Sequence, residues 1–234
     1  MIYYFTKNLE EETMEITIAT EIKDLIPDFK LGFIQYHDIL VGESPQMVKG
    51  RLQLFQESIF FELDDKKVAD FPGIQEWRQI FKKIGKDPNR YRHSAEALYR
   101  RVQSQKYLIP IHSAIDLNNF FSLQYQIPIG VYDSDKLTGS ISIRLGQEDE
   151  EYRGLNGRMN SLHRLIVSAD NDSAFGSPFV DSEKTAVTEA TKNAIQIVYL
   201  QPSLEIEKTE KMTASLASMF TQIHGGTAHW QVVE

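Results

Sequence analysis

Two observations predict a mixed α+β fold. Strand-like and helical segments both recur along the 234 residues, and they do not alternate in the strict order that βαβ units require. The segment "MEITIA" places Met14, Ile16 and Ile18 on one side of an alternating strand, and the apolar "LGFIQYHDIL" reads as a second strand. Between them "EIKDLIPDF" is a short helix or turn stopped by Pro27. Ser44 and Pro45 open a helix whose apolar face runs through Met47, Val48, Leu52, Phe55, Ile59 and Leu63. "DDKK" breaks that pattern. Helical spacing then resumes at Ile74, Trp77, Ile80, Phe81 and Ile84, and Gly85 is the natural C-terminal cap.

Pro88 and Asn89 form a turn, and Ser94 caps a helix that turns Ala95, Leu98, Tyr99 and Val102 inward and leaves Arg100 and Arg101 outside. Residues 115–125 read as helix, and "IPIGVYD" and "SISIRL" read as strands punctuated by Gly130 and Gly139. "HRLIVSAD" and "AIQIVYL" follow as strands, and residues 210–224 as an amphipathic helix ending at Gly225 and Gly226. No repeat or linker interrupts this order, so residues 1–234 read as one domain. Residues 1–71 form a candidate N-terminal lobe, and 72–234 a core that bears the motifs described below.

Hydrophobic residues at 41% and charged residues at 25% fit a globular chain, which at this length buries a sizeable core. The absence of cysteine excludes disulfides and thiolate chemistry and fits a reducing, cytoplasmic setting. The N-terminus lacks a basic region followed by a long apolar stretch, and no apolar run is long enough to span a bilayer, so neither secretion nor membrane insertion is expected. The net charge of −8 argues against a nonspecific nucleic-acid coat. Charge is nevertheless uneven: residues 78–106 hold nine Lys or Arg against Asp87 and Glu96, an excess of seven positive charges. That face either meets an anionic partner or is a pair of solvated helices with snorkelling side chains.

Familiar catalytic signatures are missing. There is no phosphate-binding glycine loop, no dinucleotide fingerprint, no HExxH and no GxSxG elbow. The six histidines lack metal-ligand spacing, so no metal and no cofactor are expected. Asp133 and Asp135 in "YDSDK" read as turn formers ahead of a cation site. Asp116, Asn118 and Asn119 interrupt an apolar helix, either lining a pocket or satisfying a neighbouring loop. Gly157, Gly176, Ser177 and Pro178 permit tight turns that expose backbone N–H groups, with Ser182, Thr185, Thr188 and Thr191 close behind; Ser182 or Thr185 reads as a helix cap.

Five segments in fixed order, "WRQIFKKIGKDPNRYRHSAEALYRRV", "IDLNNFFSLQYQIPIGVYDSDKLTGSISIRLG", "YRGLNGR", "DNDSAFGSPFVDSEKTAVTEATKNA" and "IQIVYLQPS", resemble the fused third and fourth domains of the phenylalanyl-tRNA synthetase β subunit in freestanding form. The resemblance extends over about residues 16–226. It implies mixed sheets packed in layers against helices, and an editing module that accepts the misacylated 3′ end of phenylalanine tRNA and hydrolyses the ester to tyrosine. It implies no aminoacylating activity, because the synthetase's catalytic domain has no counterpart here.

The chain departs from the family where a pocket is expected. Asn118 stands where bacterial synthetases commonly have Thr, Gly130 where they have a pocket His, and Gln196 or Ile197 where they have an acid. The resemblance nominates Asn118, Ser177 and Thr188 as catalytic, and Gly130, Asn156, Arg158, Gly176 and Gln196 as substrate-binding. Lys82, Lys83, Lys86 and Arg101 are the candidates for meeting tRNA, with Tyr91 and Arg92 locked into the fold and Glu96 partnering Arg100. Two functions remain in view: a trans-acting deacylase of mischarged tRNA, and a noncatalytic module that binds tRNA, a protein partner or a free amino-acid-like ligand.

Overall fold

The computed structural model describes residues 13–234. In chain order the elements are β1 (Ile16–Ile18), α1 (Thr20–Leu25), β2 (Leu31–His37), α2 (Gln46–Glu62), α3 (Pro72–Lys83), α4 (Ser94–Gln103), α5 (Ser113–Tyr125), β3 (Ile129–Asp133), β4 (Ile141–Leu145), β5 (Glu151–Arg153), β6 (Met159–Ser161), β7 (Ile166–Ala169), β8 (Ala174–Gly176), β9 (Ala194–Tyr199), α6 (Ile206–His224) and β10 (Thr227–Val233). One four-stranded sheet has the order β1-β4-β7-β8, with β1 parallel to β4 and the other pairs antiparallel. A second, wholly antiparallel sheet has the order β10-β2-β9-β3, and β5 and β6 form a separate hairpin. The expected mixed α+β class is the observed one.

The interior strands explain why some segments read as unbroken apolar runs. β9 lies between β2 and β3 and is buried on both faces, so "AIQIVY" has no solvent side on which to alternate. β1 is flanked only by β4 and shows the alternation that its sequence announces, Ile16 and Ile18 in, Thr17 out. Residues before Phe71 supply β1 and β2 to sheets whose other strands all come from later in the chain. α6 packs on β2 and β10, with Phe220 stacked on Tyr36 at 4.1 Å between ring centres. A second cluster of buried side chains, including Leu52, Ile74, Tyr99, Val102 and Leu123, fastens α2, α3, α4 and α5 together.

Several local expectations are corrected. α4 is capped by His93, whose Nδ1 accepts from Glu96 N–H at 3.4 Å, while the N–H of Ser94 is drawn to Pro178 O at 2.8 Å. Met47 lies on the open side of α2, and Gln56 takes an inward position by accepting from Leu108 N–H. α6 starts four positions before the expected Glu210, because Thr209 and Thr213 return their hydroxyls to the helix backbone and so bury without penalty. β10 continues beyond the glycine pair that marked the end of that helix.

Candidate functional site

Gly130 on β3 and Gly176 on β8 come from different sheets and border the same group, the hydroxyl of Tyr132. A Cβ at Gly130 would stand 1.9 Å from that oxygen, and one at Gly176 2.2 Å. Both glycines are therefore required by the close approach of a phenol. Phe175 meets the Tyr132 ring edge-on at 4.9 Å between centres. The hydroxyl donates to Asp181 Oδ1 at 2.7 Å, and the same oxygen accepts from Ser177 N–H at 3.2 Å.

Asp181 closes the loop that follows β8. Ser177 shapes this loop: its Oγ accepts from the N–H groups of Phe179 and Val180 at 3.2 and 3.0 Å and donates to Val180 O at 2.8 Å. The Tyr152 hydroxyl reaches the same turn, at Val180 O and at Ser177 Oγ. The Asp181 residue is half-buried. Burial pushes the acid up to about 6, against the lowering effect of its bonds from Tyr132 and Ser177. Burial likewise holds the Tyr132 phenol well above its ordinary value, and the neighbouring Asp181 charge adds to it. Among the described residues, the hydrogen bonds to the Asp181 carboxylate both fall on Oδ1. The next residue, Ser182, joins Tyr152, Arg153 and Lys184 in the walls of an open cleft of 390 Å³.

Asn118 and Gln196 meet deeper in the core. Gln196 Nε2 donates to Asn118 Oδ1 at 2.9 Å, Asn118 Nδ2 donates to Ile129 O at 2.9 Å, and the Tyr36 hydroxyl donates to Gln196 Oε1 at 2.8 Å. The two amides are buried, and this relay ties α5 and β2 to the β3–β9 pair. Thr188 lies elsewhere, on an exposed turn where its hydroxyl accepts from Ala190 N–H and Thr191 anchors the turn to Asp133. Asn156 and Arg158 are exposed at the tip of the β5–β6 hairpin, with Asn156 Oδ1 accepting from Arg158 N–H at 3.0 Å. Asp133 acts in a turn, taking Asp135 N–H at 3.2 Å, and Asp116 accepts from Ser44 and from Ile111 N–H.

The basic corner adjoins the same loop. Lys82 and Lys83 are exposed at the end of α3, Gly85 caps it at φ +83°, and the Lys86 ammonium lies 4.5 Å over the Tyr91 ring. Tyr91 packs in turn on Phe179 at 5.7 Å, beside the Ser94–Pro178 bond. On the other side, Leu155 N–H donates to Asp181 O at 2.9 Å and Gly154 bridges Ser182. Arg92 is exposed, a correction to its expected locked position, whereas Tyr91 is half-buried. Glu96 is fully buried between Arg78 and Arg100, each at 2.8 Å, and Arg101 remains outside. Among the described residues no helix is long and apolar enough to cross a membrane, and no group of three His, Asp or Glu is placed to hold a metal ion.

The B3/4 domain family matches residues 76–221, which include the basic corner, the Tyr132 strand and the Asp181 loop. The chain belongs to the B3/4 domain family. The Bacillus subtilis protein YhzB is 32% identical over 93% of this chain and 99% of its own length. A phenylalanine–tRNA ligase beta subunit from Fusobacterium nucleatum is 23% identical over 54% of this chain and 19% of its own length, so the chain spans about a fifth of that ligase subunit. Among solved structures, an N-terminal fragment of the phenylalanyl-tRNA synthetase beta subunit from Pyrococcus horikoshii aligns over 92% of this chain and 50% of its own, with a TM-score of 0.47 and 14% identity.

In this B3/4 domain, reasoning from sequence passed over Asp181, Tyr132 and Tyr152. Asp181 directly precedes Ser182, which with Thr185 read as a cap candidate, and Ser182 is indeed a cap, accepting from Lys184 N–H at 3.1 Å. A signal for Tyr132 was present: positions 130 and 132 share one face of a strand, so a glycine there leaves room for a tyrosine to fold over it.

Proposed function

We propose that this B3/4 chain binds tRNA and hydrolyses the ester of a mischarged aminoacyl-tRNA, acting as a separate protein. The observation that carries this reading is the shared loop at residues 177–182. The cationic corner packs on it through Tyr91 and Phe179, the hairpin bearing Asn156 and Arg158 bonds to it through Leu155, and it presents the Asp181 carboxylate. Lysines that neutralise phosphates thus stand next to a polar loop able to meet an acylated 3′ end. The relatives named as phenylalanine–tRNA ligase beta subunits support the same substrate class. The changed positions Asn118, Gly130 and Gln196 move the amino-acid specificity away from the tyrosine ester that the family resemblance implies.

The test is a deacylation panel: purified protein with Tyr-tRNA for phenylalanine and with other aminoacyl-tRNAs. At least one ester is expected to lose its half-life more than tenfold, and half-lives unchanged across the panel overturn the reading. One observation favours a noncatalytic binding module instead. The polar groups of Asn118 and Gln196 bond one another and their buried neighbours. Tight tRNA binding without deacylation of any ester identifies that alternative.

A further inference from the structure

We propose that Asp181 is the proton acceptor of this site and that Tyr132 positions it. The inference rests on the hydrolase reading above and adds the group that does the chemistry. Three observations carry it. Among the described residues both hydrogen bonds to the carboxylate, from Tyr132 Oη at 2.7 Å and Ser177 N–H at 3.2 Å, fall on Oδ1, which orients the group and leaves Oδ2 without a bond from them. The Asp181 residue is half-buried, and its chain neighbour Ser182 lines an open cleft together with Tyr152. No Lys, Arg or His forms an ion pair with Asp181 among the described residues, so its basicity is not quenched by a cation.

Its surroundings are chemically uniform. The groups facing it are the phenols of Tyr132 on β3, Tyr152 on β5 and Tyr199 on β9, together with the Ser177 backbone; Ser168 bonds the Tyr199 hydroxyl at 2.7 Å from the other side. A carboxylate held among phenols, with one oxygen tied and one free, is suited to hold a water molecule and take its proton. Oδ2 accepts a proton from the water as the water oxygen bonds the ester carbonyl carbon. The carbonyl–ribose C–O bond then breaks, and the ribose oxygen takes the proton back from Asp181. The products are the free amino acid and uncharged tRNA, and no other reactant is consumed.

Gln196 and Asn118 do not compete for this role, because their amides neither accept a proton near neutral pH nor lie free of hydrogen bonds. Nor does Ser177, whose hydroxyl donates to Val180 O.

The experiment measures kcat/KM for the ester cleaved most rapidly, from pH 5 to 8, on the wild type and on Asp181→Asn and Tyr132→Phe, with tRNA affinity measured alongside. The wild type is expected to gain activity through an inflection near pH 6. Asp181→Asn, a near-isosteric change that retains an acceptor for Tyr132, is expected to lose roughly 10²–10⁴-fold in kcat/KM and the inflection, with tRNA affinity unchanged. Tyr132→Phe removes a bond to the ionised form, so its inflection is expected to move to higher pH. An Asp181→Asn rate within threefold of the wild type overturns the inference while leaving the hydrolase reading intact. A wild-type profile flat from pH 5 to 7 overturns it without reference to any variant, and a wild type inactive on every ester overturns both readings together.

Discussion

At the scale of single residues, the arrangement depends on two positions that contribute no side chain. Gly130 and Gly176 leave the space that the Tyr132 hydroxyl fills, and Phe175 and Asp181 keep the ring from retreating. Gly176→Ala is therefore expected to cost about 1–3 kcal/mol by overpacking, read as a fall of several degrees in melting temperature. A melting temperature within a degree of the wild type would show that the phenol moves aside freely. The same crowding explains why the departure at Gly130 is not a simple loss of a polar group. A phenol from two positions along the strand occupies the space beside it.

At the scale of elements, the turn between α3 and α4 is built around one buried carboxylate. Glu96 is held by Arg78 and Arg100, and Arg78 also reaches Pro88 O at 3.1 Å and Asn89 Oδ1 at 2.8 Å, so one guanidinium fixes the helix and the basic turn together. His93 is buried beside it with its imidazole pushed down to about 3 by that burial, which keeps Nδ1 neutral and able to cap α4. Arg78→Ala leaves Glu96 short of one partner. It is expected to destabilise the fold by about 3 kcal/mol, measured as an earlier urea midpoint at unchanged m. A loss below ~0.5 kcal/mol would show that Arg100 alone satisfies the carboxylate. The partnership of Glu96 with Arg100 was legible as an i, i+4 pair, whereas Arg78, eighteen positions away from Glu96, was not. Helical spacing likewise marked α3, and unbroken apolar runs marked β3 and β9, but three-residue strands such as β5, β6 and β8 are too short to stand out.

At the scale of the whole molecule, what sequence could not display is which distant groups meet. Tyr132 and Asp181 are 49 positions apart, and Asn118 and Gln196 are 78 apart; the helical pattern singled out Asn118 and the family resemblance Gln196, and neither could say that the two bond each other. Charge asymmetry, by contrast, was visible at once. Lys82, Lys83 and Lys86 all lie on the corner that packs against the Asp181 loop. Replacing the three with alanine is expected to weaken tRNA binding and to lower the slope of log affinity against log salt by about 2 to 3, read from a salt titration. An unchanged slope would place the RNA on another face. The position of β2 has a consequence for how the molecule is made. Tyr36 bonds Gln196 across 160 positions, and β2 is flanked by β9 and β10, both from much later in the chain. On the ribosome β2 therefore emerges long before either neighbour exists. Its apolar side chains and unpaired backbone groups must wait for partners made much later, so folding of newly made protein should be slow.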